Sequence, residues 1–139
     1  LSTLAACSAE RQQARGFSLP AGDAESGKAT FAELKCNSCH SLPDLAQLPS
    51  EDPAKISVGL GGKVARIKTY GELVTSVINP SHRLAKGYPL TLVSKDGQSR
   101  MPNYNDVMTV NQLVDVVSYL QTQYELHEYR PTQYRHYHP

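Results

Sequence analysis

The chain has 139 residues, a formal net charge of +1, and 40% apolar against 19% charged residues. That length suits one domain with tails, and a balance so near neutrality gives no electrostatic reason to expect a nucleic acid partner. No apolar run of about 18 residues occurs, so the sequence holds no segment able to span a bilayer as a helix.

Residues 1–22 read as a leader and linker: a small-residue run Leu4-Ala5-Ala6-Cys7, then polar and small residues with Gly16, Pro20 and Gly22. Asp23 is placed to cap a helix from Ala24. Gly27, Phe31 and Leu34 share one face of it at i, i+4, i+7, and the helix is expected to run directly into Cys36. Cys36-Asn37-Ser38-Cys39-His40 follows. Residues 41–68 look irregular, with Pro43, Pro49, Pro53 and the cluster Gly59, Gly61, Gly62. Thr69-x-x-Glu72 is a capping box. It opens a helix with Leu73, Val74, Val77 and Ile78 on its apolar face, and Asn79-Pro80 ends it. Residues 86–100 read as an extended excursion. The Asp96-Gly97 turn signal between Leu90-Thr91-Leu92-Val93 and Met101 predicts a small hairpin there. A second capping box, Thr109-x-x-Gln112, starts a last helix with Val110, Leu113, Val114, Val117 and Leu120 on one face. Residues 125–139 are rich in Tyr and His, and Pro131 and Pro139 argue against a continuing helix.

Cys-x-x-Cys-His is the attachment signal for a covalently bound c-type haem. Thiols at Cys36 and Cys39 fit on one turn and can add to the two vinyl groups of a haem edge, and His40 then supplies an axial imidazole nitrogen. Two other chemistries use the same cysteine spacing. A redox dithiol wants a βαβ setting, which the neighbouring sequence does not offer. Half of a zinc site wants a second Cys/His pair at ligand spacing, and none follows.

The pattern Gly27-x-x-x-Phe31-x-x-x-x-Cys36-x-x-Cys39-His40 resembles the entry of class I c-type cytochromes. Met101-Pro102 ahead of the last helix and Tyr119-Leu120 near its end extend the resemblance over roughly residues 23–124. It implies an all-α fold of three to four helices around one covalent haem c, with Cys36 and Cys39 carrying the group and His40 as proximal ligand. It also implies that the C-terminal helix crosses the first one at Gly27. The family places a Gly-Pro whose carbonyl orients the proximal histidine. Val58–Gly62 resembles that place but has no proline, so which carbonyl holds His40 is open.

For the distal position the chain offers Met101 and Met108. The Met-Pro pairing and the short loop to the Thr109 helix favour Met101, while Met108 stands where the family has an apolar residue. Either methionine as plain core filling is the alternative, and His82, expected at the surface, is the remaining candidate. Leu4-Ala5-Ala6-Cys7 resembles the lipobox of bacterial lipoproteins. That implies an acylated Cys7 holding the protein at the periplasmic side of a membrane; a free thiol in a flexible leader is the other reading.

Lys28, Lys35, Lys63, Arg66, Lys68, Arg83 and Lys86 outnumber the acids around them. They read either as a docking face for a redox partner or as an ordinary solvated surface. The tail reads as an arm docking onto a partner subunit or as a segment lying over its own domain. Its histidines, His127, His136 and His138, fit no tight metal site. The expectation is therefore a one-electron carrier and not an enzyme, with redox proteins as donor and acceptor. Its division is a leader over 1–22, a haem domain over 23–124 and a tail over 125–139. Two alternatives stand beside it: a cytochrome subunit of a larger oxidoreductase, and a haem sensor or peroxidase-like domain if Met101 does not bind iron. The shared motifs do not name donor or acceptor.

Overall fold

The computed structural model describes residues 18–127; Cys7 and the tail from residue 128 lie outside the described residues. The first helix, α1 (Ala24–Glu33), begins where Asp23 Oδ1 accepts the Ser26 N–H at 2.7 Å. The Asp23 N–H in turn donates to Asp115 Oδ1 at 2.7 Å, which fastens the start of α1 to the C-terminal helix. The helix stops short of the cysteine motif, because Lys35 adopts a left-handed conformation with φ 54°. Such a residue ends a helix by turning the backbone away from its axis. Cys36–Ser38 then forms a single 3-10 turn.

Beyond it, β1 (His40–Ser41) pairs in parallel with β2 (Val58–Gly59), so His40 stands opposite Val58 and residues 42–57 form the loop between. Next comes β3 (Gly62–Val64), and then α2 (Tyr70–Ile78), opened by the Thr69/Glu72 capping box with both reciprocal hydrogen bonds in place. A 3-10 turn covers Pro80–His82. The stretch expected to be extended differs: Leu90–Val93 closes into one helical turn, α3, before the hairpin of β4 (Ser94–Lys95) and β5 (Gln98–Ser99). The predicted turn residues do head that hairpin, with Asp96 at φ 51° and Gly97 at φ 77°. Both central residues left-handed is the signature of the tight turn that matches strand twist. The longest helix, α4 (Val110–Thr122), starts at the complete Thr109/Gln112 capping box. Its chain continues into β6 (Tyr124–Leu126), which pairs in parallel with β3. The boundary drawn after residue 124 therefore falls inside a strand.

Helices carry the core, as the periodicity predicts, and three short strand pairs are the addition. α1 packs across α4, and α2 packs on α4 beside it. Phe31, Leu73, Val74, Val77, Leu113, Val116, Val117, Tyr119 and Leu120 form one buried cluster. Val110, placed on the apolar face by its spacing, is instead 58% exposed. The crossing lies at Gly27 and Asp115, more than a helical turn beyond Val110, so the first turn of α4 runs past the core.

Candidate functional site

Cys36 opens the 3-10 turn and Cys39 caps it, both as free, half-buried thiols. Burial, with Cys39 adding to it, pushes the Cys36 thiol up to about 11. A redox dithiol works through a depressed thiol pKa, so this environment disfavours that chemistry. Among the described residues no three His, Cys, Asp or Glu side chains converge. Asn37, between the thiols, is buried and fastens the loop that follows. Its Nδ2 donates to the Ala46 carbonyl at 2.9 Å, and its main-chain carbonyl accepts the Leu48 N–H at 3.0 Å.

His40 begins β1, and the parallel register brings it beside β2. Its Nδ1–H donates to the Val58 carbonyl at 3.2 Å, which answers the question the missing proline left open. The bond fixes both tautomer and ring orientation and leaves Nε2 as the lone-pair nitrogen. Burial lowers the His40 pKa, the Val58 bond opposes this, and Lys68 adds to the lowering. The imidazole is therefore neutral at pH 7, the form that binds a metal. Phe31 stands behind it with ring centroids 6.4 Å apart, and Tyr119 meets Phe31 edge-on at 5.8 Å. Tyr119 is itself held by its hydroxyl, which donates to Asp44 Oδ1 at 2.7 Å.

Cys39 and His40 line one cleft together with Ile56, Val58, Leu60, Pro80, Ala85 and Val93, and Met101 lines the same cleft. The β4–β5 hairpin delivers Met101: the Arg100 N–H donates to the Val93 carbonyl at 3.0 Å, and the Met101 N–H to Ser99 Oγ at 3.1 Å. The other two candidates for a distal ligand lie elsewhere. Met108 packs against the helical core, and His82 is exposed in a neighbouring groove. Cys36 is packed against the core rather than lining the cleft.

The cleft is concave, largely apolar in its lining and partly open to solvent, the general character of ligand sites. Arg100 lines it, and its Nε–H is buried without an acceptor. Its Nη1 reaches Asp52 Oδ2 only at 3.6 Å. A large apolar ligand with carboxylates, bound through one imidazole and one thioether, matches both the lining and the orphaned donor. Haem c fits the cleft residues, with His40 and Met101 available to iron and Cys39 lining the same cleft, while Cys36 lies on the core side of the C-x-x-C-H motif.

Arg100 and Asp52 had no signal in the sequence, since a pair so far apart shows neither spacing nor periodicity. Tyr104 is a similar case, its hydroxyl donating to the Leu34 carbonyl at 3.3 Å and so holding the distal loop to the end of α1. Of the basic residues expected to form a docking face, Lys28 pairs with Asp44 and Lys35 with Glu51, while Arg66, Lys68, Arg83 and Lys86 line one groove. No described helix is long and apolar enough to cross a membrane. Comparison with family models, curated proteins and solved structures gives no match to this chain.

Proposed function

We propose that the protein is a one-electron carrier built as a class I c-type cytochrome, with one haem c attached through Cys36 and Cys39 and ligated by His40 and Met101. One observation carries the reading. A neutral histidine with its Nδ1 already engaged shares a largely apolar cleft with the one methionine of the two that is not core packing. When bound, the haem supplies an Fe(III)/Fe(II) couple whose potential a thioether ligand raises relative to two imidazoles.

The chain's own residues do the rest. Val58 holds the imidazole in one orientation, so the ligand is in place before binding. Ile56, Val58, Leu60 and Val93 displace water from the cleft and lower its dielectric, which strengthens the influence of every nearby charge on the couple. Lys68 and Arg83 at the cleft add positive charge and favour the reduced state. If His40 and Met101 both held the iron, no position would remain on it for a substrate, which is why the reading is a carrier and not an enzyme. Its place is the periplasmic side of a bacterial membrane, where Cys7, outside the described residues, serves as the lipid anchor.

The visible spectrum of the matured holoprotein, oxidised and reduced, tests this. The expected result is a low-spin spectrum with the weak far-red sulfur-to-iron band, lost in Met101→Ala and kept in Met108→Ala. A high-spin spectrum that shifts on adding cyanide or carbon monoxide would replace the carrier with a haem sensor or catalyst.

A further inference from the structure

Hydrogen bonds leave β2 in alternating directions. The Val58 and Leu60 N–H groups donate toward β1, to the Cys39 carbonyl at 2.8 Å and the Ser41 carbonyl at 2.9 Å. The Gly59 N–H between them faces away from β1, as the alternation of a strand requires, and its acceptor is a side chain. It donates to the Tyr88 hydroxyl oxygen at 3.0 Å. Tyr88 is half-buried in the loop ahead of α3, and it lines the neighbouring groove and not the cleft. Pro89 after it narrows its backbone freedom.

The peptide unit that carries this N–H is the one whose carbonyl holds His40. Its two ends bond in opposite directions: the Val58 oxygen accepts from His40 Nδ1 at 3.2 Å, and the Gly59 nitrogen donates to Tyr88. A peptide unit is planar and stiff, so fixing one end aims the other. The need for this is local. Gly59 gives little resistance to rotation of that plane, and the run Ser57-Val58-Gly59-Leu60 holds no proline to stiffen it. The second consequence is electronic. An acceptor on an amide N–H draws electron density toward the carbonyl of the same unit, and bonds joined in such a chain strengthen one another by about 10–30% each. The Val58 oxygen thereby becomes the better acceptor for the His40 ring proton.

We infer that Tyr88 is a positioning residue for the proximal ligand, its hydroxyl oxygen holding and polarising the Val58–Gly59 peptide so that His40 is a stronger donor to iron. The inference deepens the carrier reading and rests on its assignment of His40 to the iron. A more electron-rich imidazole favours Fe(III) over Fe(II), so Tyr88 sets the potential below the value that His40 and Met101 alone would give. A hydroxyl that only satisfied a strand-edge amide would stabilise β2 and leave the ligand unaltered.

The test compares the matured holoprotein with its Tyr88→Phe variant, which keeps the ring and removes the oxygen. In a spectroelectrochemical titration the oxidised-to-reduced ratio of the variant at a fixed poise should fall about twofold, the scale of weakening one hydrogen bond. For a one-electron couple that is an upward shift of about 18 mV. Nuclear magnetic resonance of the reduced protein should show the His40 Nδ1–H signal moving upfield as its bond to Val58 weakens. A potential that moves while the His40 signal stays overturns the inference, because removing a polar group near the haem can raise the potential without the ligand. A variant that only melts earlier, with potential and signal unchanged, overturns it too. The carrier reading fails on a different observation, a high-spin spectrum in the wild type. In that case the iron–imidazole stretching band of the five-coordinate ferrous form, read by resonance Raman, replaces the potential. A lower frequency in Tyr88→Phe supports the role of Tyr88, and an unchanged one overturns it.

Discussion

Glu72 shows how much one side chain does here. It closes the capping box of α2 through the Thr69 N–H and takes both arms of Arg66. Arg66, followed by the Thr69 amide, holds its carboxyl at about 2 against an ordinary 4.5, despite some desolvation. In the unfolded chain the group titrates at its ordinary value. Stability from it is therefore complete above pH 4.5 and is lost as pH falls through the interval down to about 2. Glutamine keeps the capping geometry without the charge, so Glu72→Gln isolates the ionic part. Urea midpoints at a series of pH values should show wild type ahead of Glu72→Gln above pH 4.5, with the two converging as pH drops toward 2. A gap that stays constant with pH would assign the effect to shape instead of charge. The motif S/T-x-x-E/Q made this residue legible in the sequence as a cap. Its Arg66 partner was not legible, because nothing in the spacing says which nearby cation turns back onto the helix end.

At the scale of elements, the α1–α4 crossing decides whether the domain forms. Gly27 lies where the α4 backbone passes α1: a Cβ there would overlap the Asp115 carbonyl and come within 2.9 Å of Tyr119 Cβ. Neither neighbour can swing aside, since one is helix backbone and the other is buried in the core. Gly27→Ala should therefore force the helices apart and cost about 1–3 kcal/mol or more, despite alanine's better helix propensity. A urea melt would read this as a lowered midpoint with an unchanged slope. A stabilised variant would mean that the crossing is looser than this. The helices themselves were readable, because each carries a cap and an apolar stripe. α3 was not. Leu90-Thr91-Leu92-Val93 is too short for helical periodicity to show and holds two β-branched residues, so its pattern reads as strand. Its single helical turn comes from context, with the Leu92 N–H bonded back to the Pro89 carbonyl at 2.9 Å. The end of α1 was misplaced for a related reason: a left-handed lysine leaves no mark in the sequence, whereas a glycine at that position would have.

Across the whole molecule the two sides of the cleft are held by different means. One side is the packed body of α1, α2 and α4, where Phe31, Val117 and Tyr119 are almost wholly buried. The other consists of the segments 42–57 and 80–108, which hold only Ile56 and Val93 as buried apolar groups apart from Leu42 at the edge of the core. Individual polar contacts fasten them: Ser99 N–H to Ser81 Oγ at 3.0 Å, Asn105 Nδ2 to the Ile78 carbonyl at 2.9 Å, and the long Asp52–Arg100 pair. Such contacts contribute about 0.5–1.5 kcal/mol each, against about 3–5 kcal/mol for a buried aromatic side chain. Local opening should therefore begin in these loops, and a ligand that fills the cleft should stabilise them first, since it binds only the closed form. Amide hydrogen exchange on the chain before and after haem attachment measures this directly. Residues 56–60 and 93–101 are expected to exchange fast in the haem-free chain and to gain protection on attachment, while α1 and α4 change far less. A uniform gain across all helices would instead mean that the body does not fold without the cofactor. The helical core would then be a consequence of the site and not its scaffold.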